Sequence, residues 1–469
     1  MTPTDSNAQP AGRVNKLYFA AWRWHFYAGL FVIPFLTALA ITGMAMLWIA
    51  WIDGRDGERT AEALLRCVGF RRCPMRAVSE QAEAAVRAIA DGTLKQYVAP
   101  RTPDVAALFR VDADGDAIMV AVDPYTATVI ETFSRRSGWY DFADDLHSEL
   151  MLGVTGDRLL ETAASLTLVL IATGLYMWWP RTAGWRRALI PTFGRGRALW
   201  KSLHGVVGIW ISGILVFFLI SGLSWAGVWG GKMVQAWSQF PAAKWDNVPL
   251  SDDTHASMNH DRREVPWALE QTPMPASGSD AGNAGVTNGA VTLDTVDALA
   301  REIGFDGRYQ LNLPPSETGV WTLSRDSMNT DSTDPMSDRT VHVDQYTGKI
   351  LADVRYDDYS LAGKAMAVGI ALHMGTLGLW SVLVNSVFCL AVLFLCLSSV
   401  VLWWKRRPAH AGRLAAPPMP TELPLWQGAV LVGLAVSMAF PMAGLALLVV
   451  LALDVLILAR LPKLRRSLT

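Results

Sequence analysis

Residues 22–52 read WRWHFYAGLFVIPFLTALAITGMAMLWIAWI, and residues 200–229 read WKSLHGVVGIWISGILVFFLISGLSWAGVW. Each is an apolar run opened by a histidine, His25 in the first and His204 in the second. Aligned on those histidines, Gly29 matches Gly208, and Thr42-Gly43 matches Ser221-Gly222. Aromatics precede each histidine closely, Trp22 and Trp24 in one run and Trp200 in the other. About 20 apolar residues suffice to cross the ~30 Å hydrocarbon core, so both runs predict membrane spans. A histidine is costly in a bilayer and usually marks function there.

The repetition continues outward from these runs. Val122-Asp123-Pro124-Tyr125-Thr126 matches Val343-Asp344-Gln345-Tyr346-Thr347, with Ile130 and Ile350 following. Leu146-His147 then matches Leu372-His373, and Trp178-Trp179-Pro180-Arg181 matches Trp403-Trp404-Lys405-Arg406. The two histidine-to-tryptophan intervals are 31 and 30 residues. The matches keep one order in both halves, as a duplicated chain would.

Four apolar runs qualify as spans: 26–52, 158–179, 205–229 and 378–404. A fifth stretch, 425–459, would extend ~50 Å as one helix, too long for a single crossing. Phe440-Pro441 interrupts it, and the expectation is a tight helical hairpin, making six spans. The loop 180–204 carries Arg181, Arg186, Arg187, Arg195, Arg197 and Lys201 without an acid, so it is expected in the cytoplasm. Arg13, Lys16 and Arg23 place the N-terminus 1–25 on that side. The loop 405–424 and the tail 460–469 follow, through Lys405, Arg406, Arg407 and Arg413 and through Arg460, Lys463, Arg465 and Arg466.

Two polar segments, 53–157 and 230–377, then face outward. In a bacterial inner membrane that is the periplasm. Both contain β-like runs, at 117–122 and 340–343. The Gly/Ser/Ala/Asn/Pro-rich stretch 272–290 reads as a flexible loop. The expected fold class is therefore a mostly α membrane protein: a duplicated unit of span, periplasmic α+β domain and span, plus the hairpin.

Composition agrees with a multi-pass membrane protein bearing soluble parts: 51% of the 469 residues are hydrophobic, 18% are charged, and there are 20 tryptophans. The formal charge of −1 says little, because charges are segregated by topology. Basic clusters flank spans instead of forming an aromatic-interleaved face, so nucleic acid is not an expected partner. The first apolar run is too long for a cleavable signal peptide, and an uncleaved first span is expected. Cys67 and Cys73 lie in an outward polar segment, where a disulfide and two free thiols both remain open. Cys389 and Cys396 lie about 10 Å apart on one apolar helix and read as core or lipid-facing residues.

His25 and His204 both enter spans from the cytoplasmic side, and His147 and His373 both sit at periplasmic ends. Each pair joins equivalent positions of two halves. Neutral imidazole is a good axial ligand for haem iron, and two of them favour electron transfer. No Cys-x-x-Cys-His occurs, so the expected cofactors are two non-covalent b-type haems, with His25, His204, His147 and His373 as iron ligands. Gly29 and Gly208 would leave room for a flat macrocycle. Gly153, Gly156, Gly375 and Gly378 would loosen the outer stretches. The pairs lack Cys, Asp or Glu at short ligand spacing, which argues against zinc or copper. Arg23 and Lys201 read as topology-setting charges with haem propionates as the alternative. His255, Met258 and His260 read as a solvated loop before a metal site, while His342 and His410 read as structural or incidental.

Trp24-His25 with Gly29, Leu203-His204-Gly205 with Gly208, the two Val-Asp-x-Tyr-Thr segments, Leu372-His373-Met374-Gly375 and the Trp-Trp-basic span ends resemble one family, the PepSY-associated transmembrane proteins of bacterial inner membranes. The resemblance covers nearly the whole chain. It implies PepSY-like periplasmic domains, iron uptake and a di-haem reductase of ferric siderophores. Leu146-His147-Ser148-Glu149 departs from the pattern by lacking the Met-Gly that follows His373. The expected activity is an oxidoreductase: a cytoplasmic reductase or membrane quinol supplies electrons, and a ferric siderophore or other iron chelate in the periplasm accepts them. Trp237, Trp245, Trp267 and Trp321 could line its pocket, although each alone reads as core or membrane belt. No Gly-x-Gly-x-x-Gly follows a strand, so a nicotinamide cofactor is not expected. The rival readings are a membrane-anchored peptide- or peptidase-binding protein and a siderophore or metal permease, with Asp454 the main acidic candidate.

Overall fold

The computed structural model describes residues 16–55, 74–135, 138–180, 184–234, 247–259, 264–287, 289–407, 414–417, 426–453, 456 and 460. Cys67, Cys73, Trp237, Trp245, His260, His410 and Asp454 lie outside these residues. The chain divides into two compact units, one of residues 1–38, 154–223 and 390–469, the other of 39–153 and 224–389.

The protein is a membrane protein, mostly helical, with a sheet domain. Among the described residues, four helices are long and apolar enough to cross a bilayer: α1 (Lys16–Ile52), then, after α2 (Val78–Arg87) and α3 (Trp139–Glu149), α4 (Val154–Trp178); beyond the short α5 (Trp185–Ala188), α6 (Arg197–Leu223); and, after α7 (Leu293–Glu302) and α8 (Leu361–Met374), α9 (Leu379–Arg406). On α9, Leu383, Val384, Val387, Leu390, Leu397 and Val400 are exposed. A row of large apolar side chains in the open is what a lipid-facing helix needs. The expected hairpin is a pair of shorter helices, α10 (Trp426–Ala439) and α11 (Pro441–Leu453), of 14 and 13 residues. Their described residues span about 20 Å each. Their break falls at Phe440, and a Cβ on Gly444 would come within 2.6 Å of the Ser437 Cβ, so the two helices pack closely there.

In the second unit the two polar segments build one eight-stranded sheet. The first segment supplies β1 (Thr93–Val98), β2 (Ala107–Ala113), β3 (Asp116–Asp123) and β4 (Thr128–Ser134). After a separate small ribbon, β5 (Leu250–Thr254) with β6 (Pro273–Pro275), the second supplies β7 (Gln310–Asn312), β8 (Val320–Arg325), β9 (Arg339–Asp344) and β10 (Ile350–Arg355). The order is β10-β9-β8-β7-β1-β2-β3-β4. The halves meet where β1 pairs antiparallel with β7, Tyr97 opposite Leu311.

Alternation along the strands decides what each face meets. Tyr97, Phe109, Val111, Val120, Leu311, Leu323, Val341 and Val343 form one apolar core with α2 and α7. Val78, Ala82 and Ala85 on α2 recur at helical spacing, as do Val296, Leu299 and Ala300 on α7. Trp321 belongs to this core, and Trp267 is buried with its indole N–H on Ser224 O (3.0 Å).

The repeated Val-Asp-x-Tyr-Thr segments are hairpin turns. Asp123 Oδ1 accepts from Tyr125 N (2.9 Å), and Asp344 Oδ1 accepts from Tyr346 N (2.8 Å). These are local Asx turns. The Gly-rich stretch expected to be a flexible loop is instead pinned along β10. Asn283 and Ile350 exchange backbone hydrogen bonds of 2.9 and 3.0 Å, and Val286 N donates to Gly348 O (2.8 Å). A Cβ on Gly285 would lie 2.1 Å from Gly348 O. The glycines serve close backbone approach, not mobility.

Candidate functional site

The structure brings the four histidines together as the two expected pairs, one in each unit. In the first unit, His25 lies well inside α1 and His204 inside α6. Their ring centroids are 6.5 Å apart and their planes cross at 87°. In the second unit, His147 stands in the last turn of α3 and His373 in the last turn of α8. Their centroids are 6.4 Å apart and their planes cross at 89°.

A third histidine pair gives the scale. His255 and His342 are bonded directly, Nε2 to Nε2 at 2.9 Å, with centroids 4.9 Å apart. The other two pairs, with centroids 6.5 and 6.4 Å apart, therefore stand more than an ångström too far apart to bond each other. Two in-line metal–nitrogen bonds of about 2 Å, with about 1 Å from each nitrogen to its ring centre, add to about 6 Å. Both separations fit an iron atom held between opposed imidazoles.

Hydroxyl groups orient three of the rings. His25 Nδ1 lies 3.0 Å from Thr173 Oγ1 on α4, and His204 Nδ1 lies 2.8 Å from Ser398 Oγ on α9. His147 Nδ1 lies 2.9 Å from Thr42 Oγ1 on α1. With Nδ1 turned to a partner on its own side, Nε2 is the nitrogen left for a ligand role. Thr173 and Ser398 each stand five residues before their Trp-Trp pair. That repetition was available in the sequence but carried no signal by itself.

Glycine sets the clearance at two rings. A Cβ on Gly174 would lie 3.2 Å from Cε1 of His25, and one on Gly43 would lie 3.2 Å from Cε1 of His147. Gly29 and Gly208, expected to make this room, instead face Leu170 and Leu395 at ordinary contact, 3.8 and 3.9 Å. The outer turns differ from expectation as well. Gly375 (φ +71°) closes α8, and a Cβ there would meet Leu47 Cδ2 at 2.5 Å, so this glycine tightens the contact with α1. Asn385 Nδ2 donates to Leu372 O (2.7 Å) and His373 O (3.2 Å), capping the carbonyls of the same turn. After His147 the left-handed cap is Leu150 (φ +54°). A leucine does what glycine does after His373, which is how His147 reaches the same geometry without the Met-Gly.

Arg23 and Arg406 are engaged within the first unit. The Arg23 guanidinium donates to Tyr27 Oη (3.2 Å) and to Pro417 O, and that of Arg406 lies over Trp22 and Phe26 at 5.1 and 5.0 Å.

The solvated-loop reading of His255 does not hold. His255 and His342 are fully buried in the second unit. His255 Nδ1 faces Thr272 O (2.7 Å), which only accepts, so Nδ1 carries the proton and Nε2 accepts. His342 therefore donates from Nε2, and Thr322 Oγ1 donates to His342 Nδ1 (3.0 Å). Burial lowers both imidazoles from their ordinary values, His255 to about 4. This pair is satisfied and neutral.

A sequence profile of the family described as PepSY-associated TM region matches residues 22–406. No curated protein matches the chain.

Proposed function

The chain belongs to the PepSY-associated TM region family, and on that premise we propose that it is a di-haem electron-transfer protein of the bacterial inner membrane that reduces a periplasmic ferric chelate. The observation that carries this reading is the pair of matched gaps, 6.5 Å between His25 and His204 and 6.4 Å between His147 and His373. Ring planes near 90° and Nδ1 atoms held by hydroxyls support it.

His25 and His204 would hold one b-type haem, and His147 and His373 the other. Bound there, the haems supply one-electron transfer from a quinol or cytoplasmic reductase to a ferric chelate, releasing ferrous iron. The rest falls to the chain's own residues. Held between two imidazoles, each haem would supply electron transfer in place of oxygen chemistry. Thr173, Ser398 and Thr42 hold rings in place. Gly174 and Gly43 keep side chains off them. The siderophore class of substrate rests on the family resemblance.

The finer architecture belongs to the same reading. Each half contributes a span, an α-β-β-β-β segment (preceded in the second by the β5–β6 ribbon), a short helix with histidine in its last turn, and a second span. The sheet order, with β7–β10 mirroring β1–β4 about the central pair, supports a duplication. We take α10 and α11 as the expected hairpin that completes six membrane helices, with the N-terminus and the basic loops in the cytoplasm.

Stopped-flow mixing tests the activity. Dithionite-reduced protein, freed of excess reductant, is mixed with a ferric hydroxamate or catecholate chelate and ferrozine. Reoxidation of the protein with one ferrous–ferrozine complex per electron is expected. Reduced protein that keeps its spectrum through the mixing time would contradict it.

A further inference from the structure

We propose that Thr173, Ser398 and Thr42 are positioning residues that fix the tautomer of the histidine ligands and so set the reduction potentials of the two haems. This rests on the haem reading above and goes beyond it by assigning residues outside the ligand set.

The argument is one of hydrogen count. A hydroxyl has one hydrogen to give. Thr173 Oγ1 spends it within α4, on Val169 O at 2.7 Å. Ser398 Oγ spends it on Leu395 O at 3.1 Å, and Thr42 Oγ1 on Leu39 O at 3.3 Å. With that hydrogen on the helix carbonyl, oxygen lone pairs face the imidazoles, and Nδ1 of His25, His204 and His147 is assigned the N–H; the backbones of Leu170 and Leu39 hydrogen-bond the His25 and His147 rings as well. A neutral imidazole has one N–H, and Nε2 of each ring is left bare toward the opposing histidine. The same device occurs three times, with acceptors from three helices, and it yields the ligand-competent tautomer each time.

The surroundings make that choice matter. Thr42 and Ser398 are buried, as is Thr173, among apolar helices. An imidazole N–H without an acceptor there would carry the cost of a buried unsatisfied donor. A hydroxyl is also a neutral acceptor. It draws less on the N–H than a carboxylate would, leaving the ligand an imidazole with little imidazolate character. Removing the acceptor weakens electron donation to the iron further and disfavours the ferric state.

The set splits by site. Thr173 and Ser398 serve His25 and His204, and Thr42 serves His147. Redox titration of full-length protein, with low-spin EPR, tests this in Thr173→Val, Ser398→Ala, Thr42→Val and the conservative Thr173→Ser. T173V and S398A are expected to raise the midpoint of one and the same haem, T42V that of the other, and T173S neither. If T173V cannot retain its haem while T173S does, with the wild-type midpoint, the assignment also stands. Wild-type midpoints in T173V and T42V, or equal shifts in both haems from either, would overturn it. Loss of haem from T173S would overturn it too. A wild-type protein without haem would remove the reading beneath it, an outcome distinct from all of these.

Discussion

Gly174 stands edge-on to His25: a methyl group at its Cβ position would lie 3.2 Å from Cε1 and 3.7 Å from Nδ1 of the imidazole. Gly43 and His147 repeat this relationship at 3.2 and 3.6 Å. Such contacts are tighter than ordinary packing, so an added carbon displaces the ring. Gly174→Val is expected to cost the protein one of its two haems, and Gly43→Val the other. Gly174→Ala, which asks only a few tenths of an ångström, should keep both. Haem per polypeptide, measured by pyridine haemochrome, reads the result. Full occupancy in both valine variants would show that the glycines set no clearance.

The buried His255–His342 pair predicts an acid-sensitive sheet. Burial lowers both pKa values, His255 to about 4. The native pair stays neutral while an unfolded chain takes up protons below about pH 6.5. Its contribution is therefore complete above pH 6.5 and lost as pH falls toward 4, roughly 3 kcal/mol for His255 alone. Melting curves of the wild type and of His255→Leu/His342→Leu, recorded from pH 7.5 to 5, should converge as pH falls. Parallel curves would contradict the assignment.

Asp338 predicts the opposite slope. Burial, with Asp326 and Asp331 nearby, pushes its carboxyl up to about 8. The folded chain holds a proton that the unfolded chain loses above its ordinary value of 3.8. Stability from this group falls as pH rises from about 4 and levels above 8. Asp338 Oδ1 accepts from Ser327 N (2.9 Å), a bond an amide oxygen can also accept. Asp338→Asn should thus cost little at pH 6 and gain relative to the wild type at pH 9. A larger deficit at pH 9 than at pH 6 would refute it.

Arg135 and Glu264 form a buried ion pair at 3.0 Å, with side chains 8% and 7% exposed. It ties the end of β4 to the segment that follows β5. Glu264→Ala leaves a buried guanidinium without its counter-charge, at a cost of about 3 kcal/mol. Arg135→Met/Glu264→Leu, which removes both charges, should recover much of the lost melting temperature. A double variant no more stable than Glu264→Ala would count against this.

Much of the membrane half was legible in the sequence, because a span must be long and apolar and a histidine within one must be explained. His25, His204, His147 and His373 pair as their positions in the repeat suggested. The partners were not legible. Thr42-Gly43 stood out as a match to Ser221-Gly222, yet nothing local said that one residue holds His147 and the other clears it. Those contacts join residues about a hundred positions apart in different helices. His255 and His342 are 87 residues apart, one in a turn after β5 and the other in β9, and no local pattern joins them. The stretch around Gly282 and Gly285 misled through composition, since glycine marks close approach of two backbones as readily as freedom. The sheet was visible only in fragments, because strand propensity does not reveal that β1 pairs with β7.

The central claim is that two haems sit between these histidines. Haem content and absorption spectra of the full-length protein, purified in detergent from haem-replete cells and recorded with and without dithionite, test it most directly. The account predicts two low-spin b-type haems per chain, one lost in His204→Ala and the other in His373→Ala. A colourless protein, or one whose haem content is unchanged by both substitutions, would contradict it.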